Sequence, residues 1–225
     1  MTDTTPAPVV AQPTAAPPAS SRPRPKQQQR KAPPRGKPAH PVLEKLFELQ
    51  PQLFGAHFKP LKIGIFEDLL ARHPEAFPRD ELKVALGLHA RSTAYLESVA
   101  AGLQRHDLDG QPVAPVAPEH VHHAIMEVFR RRQQRTKEDL RPRVTERIVA
   151  AIEASGLSPA EYAAAMRTQD ETVNAILDEA VSQLVQKSAR REALSRAFHA
   201  SGMSIQAFAE MYGMQPVEVQ RTLGG

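Results

Sequence analysis

Lys59-Pro60-Leu61-Lys62-Ile63-Gly64-Ile65-Phe66 holds two lysines, a proline and a glycine, and runs directly into an apolar segment with helical spacing. Pro60 cannot continue a preceding helix, and Gly64 is the residue type that opens or closes an element through unusual backbone angles. The stretch therefore reads as a connector between two helices. Arg105-His106-Asp107-Leu108-Asp109-Gly110-Gln111-Pro112 is its companion, with Asp109-Gly110 a strong two-residue hairpin signal between short strands around 105–108 and 111–114.

Outward from that connector the pattern is helical. Leu43, Leu46 and Phe47 have i, i+3, i+4 spacing, and Leu53 and Phe54 continue it, predicting a first amphipathic helix. A second, from about Ile63 to Arg72, places Ile65, Phe66, Leu69 and Leu70 inward. A third, from about Arg79 to Leu88, buries Leu82, Ala85 and Leu86, with Arg79 and Lys83 on one stripe beside that face. Ser92 is the N-cap of a fourth helix ending before Gly102, with Leu96, Val99 and Ala100 inward. Pro118 opens a fifth with Val121, Ala124, Ile125 and Val128 on one side; it ends in Arg130-Arg131-Arg132-Gln133-Gln134-Arg135, charge that suits a helix C-terminus.

Charge and composition divide the chain further. Residues 1–41 hold seven Lys/Arg against the single acid Asp3, residues 42–135 twelve of each sign, and residues 136–225 ten basic against twelve acidic residues. Residues 1–40 are rich in Pro, Ala, Gln and Ser, with too few large apolar residues to offset the entropy of ordering; they read as a disordered basic tail drawn to polyanions. There is no cysteine, so disulfides and thiolate metal sites are excluded, which suits a cytoplasmic protein. No apolar run approaches the length of a membrane span. Residues 154–177 and 200–223 align without gaps at an offset of 46, with eight of 24 positions identical, so one helical unit is used twice. Ser158-Pro159-Ala160-Glu161 is a capping box, and Ser204 opens its counterpart without one.

Residues 42–135 resemble the ProQ/FinO family of RNA-binding proteins. The matching pieces are Pro60–Phe66, Leu82-Lys83-Val84-Ala85-Leu86, Tyr95-Leu96, Arg105 with Asp107-Leu108-Asp109-Gly110, Glu119-His120-Val121 and His123-Ala124, in agreeing order and spacing. The resemblance implies a mainly α fold. In it a compact helical domain with a small β-hairpin spans 41–135. The resemblance also implies a non-enzymatic RNA chaperone, without cofactor, that binds stem-loops with single-stranded 3′ ends: terminators, small RNAs and messenger 3′ ends. Outside the resemblance, the internal repeat makes 136–225 a helical region of two helix-turn-helix-like units. Carried over residue by residue, Lys62, Arg79, Lys83, Tyr95 and Arg105 fall on positions linked to RNA contact. Lys62 and Arg105 flank a pocket for the 3′ terminus, Tyr95 helps shape it, and Arg79 and Lys83 lie along duplex phosphates. Ser92 and Thr93 open a helix whose free amides suit a phosphate. Two places depart from the pattern. Gly87 replaces a residue often basic in the family, and Thr93-Ala94 stands where relatives carry an aromatic and an arginine, so duplex affinity is expected to weaken or to shift to the tail.

Other chemistries are poorly served. His120, His122 and His123 lack an acidic or sulfur co-ligand, and ordinary packing explains them better than a metal. No phosphate-cradling glycine loop or nucleophile elbow occurs. The alternative to RNA is a DNA-binding regulator acting through the two repeats. However, Asp170, Glu171, Asp178 and Glu179 make the second helix of the first unit acidic, and partner or self contacts suit 136–225 better.

Overall fold

His40 accepts the Val42 amide on its ring Nδ1 (3.3 Å) and so caps α1 (Pro41–Leu49), which has a proline in its first turn. In this computed structural model the described residues are Met1, 40–55 and 57–223. The tail expected over 1–40 therefore lies outside them, apart from Met1 and His40. The first helix breaks in two: Pro51 has no amide to continue α1, so Leu53 and Phe54 are carried on a separate turn, α2 (Pro51–Phe54), both fully buried.

Gly64, at φ 87°, turns the connector into α3 (Ile65–Arg72), which begins two residues later than the spacing predicts; Ile63 is left 76% exposed. Ile65 and Leu69 are buried, with Phe66 and Leu70 packed at the margin of the core. α4 (Arg79–Ala90) buries Leu82 and Ala85. Ser92 caps α5 (Thr93–Ala100) by accepting the Tyr95 amide (3.2 Å), and Leu96, Val99 and Ala100 face inward as expected.

The hairpin is shorter than predicted. β1 (Arg105–His106) pairs antiparallel with β2 (Pro112–Ala114). Between them Asp107 Oδ1 accepts the amides of Asp109 and Gln111, and Gly110 sits at φ 73°. Leu61 adds a parallel bridge to His106, so the connector joins the hairpin edge. α6 (Pro118–Gln133) follows and packs on α5.

The remaining helices are α7 (Arg141–Ser155), α8 (Pro159–Met166), the 31-residue α9 (Glu171–Ser201), α10 (Ile205–Tyr212) and α11 (Pro216–Leu223). One hydrophobic core runs from Val42 on α1 to Ala180 on α9, uniting the family-like helices with α7, α8 and the first third of α9. A second core holds Phe208, Ala209 and Val219, packed by Leu194, Phe198, Ile205 and Leu223.

The repeat is visible as geometry. Gly156 and Gly202 end α7 and α9 in left-handed conformations (φ 74° and 61°). Ser155 and Ser201 each donate to a carbonyl three residues back (2.7 Å) and accept an amide two residues on. Tyr162 and Phe208, equivalent at the 46-residue offset, are both completely buried, and the equivalent Val173 and Val219 are 8% and 0% exposed. Ser158 and Glu161 form the expected reciprocal box, which also holds the Glu161 carboxyl below its ordinary range; Ser204 only accepts the Ala207 amide.

Candidate nucleic-acid interface

The connector and hairpin meet at Leu61, which is tied from every side. Flanking it, His106 donates its amide to the Pro60 carbonyl and accepts the Lys62 amide on its own carbonyl, both at 2.8 Å. Leu61 itself donates its amide to the Tyr95 hydroxyl (3.1 Å) and accepts Arg105 Nη1 on its carbonyl (3.0 Å). The second arm of Arg105, Nη2, donates to His120 Nδ1 (3.1 Å). A guanidinium only donates, so that nitrogen is an acceptor and the neutral ring carries its proton on Nε2. Tyr95, Arg105 and His106 thus converge on the two peptide units that flank Leu61, though 44 residues separate Leu61 from Arg105.

The two expected socket cations send their charged ends to different partners. Arg105 reaches His120, whereas Lys62 Nζ pairs with Asp68 Oδ2 at 2.7 Å. Beside Lys62 lies a hollow of about 430 Å³, lined by Lys62, Asp68, Arg72, Asp107 and Asp109 among others. Two cations and three carboxylates leave it with a net charge of −1, so a phosphate entering meets repulsion on balance. Arg72 grips Asp109 through two bonds (2.7 and 3.0 Å), which lowers the Asp109 pKa and raises that of Arg72.

Tyr95 is buried, not presented to solvent. Its ring stands 5.0 Å from His89, which is also packed against Phe54 and Phe58 (4.7 and 4.6 Å). Burial in that apolar cage lowers the His89 pKa to about 4, so the ring is neutral at pH 7. Tyr95 shapes the site by holding the Leu61 amide rather than by offering its face.

Arg79 and Lys83 share the expected stripe on α4. The Arg79 guanidinium lies 5.1 Å over the Phe66 ring, which fixes its direction, and Lys83 is exposed. Gly87 is the next position on that stripe. A side-chain carbon there meets Arg91 Nη1 and Nη2 at 3.3 Å, so Arg91 folds back over the glycine and its cation continues the row. Arg91 escaped the sequence reading, although its i, i+4 spacing from Gly87 signals this reach.

Ser92 and Thr93 lie at the α5 N-terminus, and their hydroxyls are engaged. Ser92 Oγ caps the helix, and Thr93 Oγ1 accepts Arg131 Nη1 (3.1 Å). The same Arg131 nitrogen donates to the Arg91 carbonyl (2.8 Å), and its Nε donates to Glu127 (2.8 Å). Arg131, part of the run read as C-terminal helix charge, thereby brings a second guanidinium beside the first turn of α5. The amides of Thr93 and Ala94 have no acceptor within the helix.

The three histidines of α6 diverge. His120 holds Arg105, and His123 is exposed. His122 is buried, sharing a 3.2 Å hydrogen bond with the Tyr162 hydroxyl. Burial, helped by His123, lowers His122 to about 4, and burial pushes Tyr162 up to about 12. Among the described residues no cluster of three or more His, Asp or Glu is placed to hold a metal ion, and no helix is long and apolar enough to cross a membrane.

Comparison with known proteins bears on the same segment. The sequence model of the ProQ/FINO family matches residues 36–141. An RNA chaperone ProQ from Shewanella oneidensis is 45% identical over 87 residues, covering 37% of this chain and 41% of the relative. One from Shewanella frigidimarina is 42% identical over 89 residues, covering 38% and 44%. The chain thus spans about two fifths of the length of these curated relatives. Among solved structures, the crystal structure of a FinO-like RNA chaperone from Neisseria meningitidis is similar at a TM-score of 0.37 and 28% identity, over 42% of this chain and 76% of that one.

Proposed function

We propose, from the match of residues 36–141 to the ProQ/FINO family model, that the chain is a non-catalytic RNA-binding protein and RNA chaperone. Its ligands on this reading are stem-loops with a single-stranded 3′ end, as in terminators, small RNAs and messenger 3′ ends, and it acts post-transcriptionally in the cytoplasm. The binding domain spans 41–135. The basic tail over 1–40 adds non-specific attraction, and 136–225 supplies contacts to a partner or a second copy.

The observation that supports the reading best is the Leu61 junction, where Arg105 and Tyr95 hold the Lys59–Gly64 connector. A-form RNA hides its bases in a deep, narrow groove, so a protein grips it through phosphates and 2′-hydroxyls with spaced cations. Arg79, Lys83 and Arg91 form such a row, and the α5 N-terminus with Arg131 offers amides and charge to a further phosphate. Lys62 takes part by exchanging Asp68 for the RNA, the exposed pair being worth less than about 1 kcal/mol in water. Arg105 positions the connector and presents its remaining edge to the terminal nucleotide.

The test is titration of a terminator hairpin with and without its 3′ oligouridine tail. Tight binding of the tailed RNA, weakened by Lys62→Ala and by Arg105→Lys, is expected. Equal, negligible affinity for both RNAs ends the reading, and unchanged affinity in both variants ends the site assignment. Nothing among the described residues favours the DNA alternative. Asp178 of the acidic helix pairs with Arg167, Asp170 caps that helix and lies 3.9 Å from Arg130, and Glu171 and Glu179 are exposed on it, charge that repels a DNA backbone.

A further inference from the structure

Carried upstream of the aligned segments, the same 46-residue offset sets α7 against the later part of α9. At the 46-residue offset Val144, Thr145 and Ile176 become Arg190, Arg191 and Thr222. The first three are between 0 and 4% exposed, inside the main core. Arg190 and Arg191 are exposed, and Thr222 is half-buried. A site filled by helix packing in one copy is thus an open groove in the other, about 750 Å³ in volume, between α9 and α11.

The groove is lined by Lys187, Arg190, Arg191 and Arg221, with the amides of Gln183 and Gln186 beside them and no carboxylate. Lys187 is neutralised from outside by Glu153 (2.7 Å). Arg191 Nε donates to the Thr222 carbonyl (3.1 Å), which anchors α11 to α9 and leaves the charge uncompensated. Arg190 and Arg221 have no ion-pair partner among the described residues. Three unneutralised guanidinium groups around one groove, in a segment whose net charge is −2, are a local reversal of sign. Guanidinium forks and side-chain amides match phosphate oxygens, and Leu194 and Met214 offer an apolar floor for a base or ribose.

We propose that this groove is a second RNA site that holds a single-stranded segment of the RNA gripped by the family domain. It rests on the RNA reading above and extends it to the part of the chain outside the matched family segment. It requires no base code, because its donors address the backbone.

The experiment uses the full chain with Arg190→Gln/Arg221→Gln. Both side chains are exposed and belong to neither core cluster, and Arg191 is kept because it holds α11. Three RNAs are titrated across salt: the tailed hairpin, the same hairpin with a 5′ oligouridine extension, and poly(U) alone. The double variant is expected to bind the extended hairpin and poly(U) about tenfold more weakly, with the slope of log affinity against log salt reduced by about 1.4, two single-strand contacts at roughly 0.7 each. Its affinity for the bare tailed hairpin is expected to match the parent. Unchanged affinity and slope on the extended hairpin and poly(U) overturn the proposal. So does displacement of poly(U) from the parent but not the variant by a poly-glutamate competitor at lower concentration than RNA, which assigns the groove to an acidic protein. Failure of the hairpin reading is seen separately, as a parent that ignores the bare hairpin while poly(U) binding still depends on Arg190 and Arg221.

Discussion

Replacing Tyr95 by phenylalanine deletes one oxygen and leaves the buried ring beside His89. That oxygen accepts the amide of Leu61, a residue only 6% exposed, so the variant leaves a buried donor without an acceptor. Such a loss costs about 1–3 kcal/mol. In a chain of this size each kcal/mol lowers Tm by roughly 2–4 °C, so the Tm followed by circular dichroism should fall by about 2–12 °C. Tyr95→Ala removes the ring as well and should cost about 3–5 kcal/mol through the cavity left behind. The RNA readout separates positioning from mere stability. With Leu61 released on its amide side, the Lys59–Gly64 connector loosens, and tailed-hairpin affinity measured well below Tm should drop several-fold in Tyr95→Phe. A Tm within 1 °C of the parent refutes the claim that the hydroxyl carries the connector. A lowered Tm with unchanged RNA affinity refutes the link from connector to binding.

Other consequences are equally specific. His89 and His122 are held near pKa 4 against an ordinary 6.5, so the unfolded chain binds protons that the folded one refuses. Stability is expected to fall as pH drops from about 6.5 to 4, by up to about 1.4 kcal/mol per pH unit for each ring, and a flat urea midpoint between pH 7 and 5 contradicts it. Gly64→Ala meets nothing nearer than Glu67 Oε2 at 4.0 Å, so its cost is the left-handed backbone alone, roughly 1–2 kcal/mol by chemical denaturation. Phe208→Ala should remove about 3–5 kcal/mol from the small second core, with amide exchange accelerating in α10 and α11 while α5 and α6 stay protected. Adding a methyl at Gly87 pushes on Arg91 at 3.3 Å; displaced outward, that cation should leave the Arg79–Lys83 row, and Gly87→Ala should weaken hairpin binding and flatten its salt dependence.

Most helices were legible because each buries a stripe at helical spacing, and that spacing is written in the order of residues. Leu46, Leu82/Ala85 and Leu96/Val99/Ala100 all face the core on this ground, while on α1 the buried partner of Leu46 is Val42, with Leu43 and Phe47 half-buried beside it. Caps were legible for the same local reason: Ser92, Ser158 and Ser204 each satisfy amides within three residues. Where local rules competed, the reading slipped. Pro51 split the first helix, and Gly64 delayed α3 past Ile63.

The Lys59–Phe66 and Arg105–Pro112 stretches could be singled out from residue types alone, and so could the repeat, because identity at a fixed offset needs no coordinates. Which atoms meet there belongs to the tertiary structure. Arg105 bonds a carbonyl 44 residues away, Lys62 turns to Asp68, Arg91 covers Gly87, and Arg131 reaches Thr93. Long cationic side chains have many rotamers of similar energy, and only surrounding backbone and neighbouring charges select one. The same holds for the α9–α11 groove. Its arginines stand in the sequence for anyone to count, but that they line one space, with carboxylates outside it, is decided by how the second repeat packs.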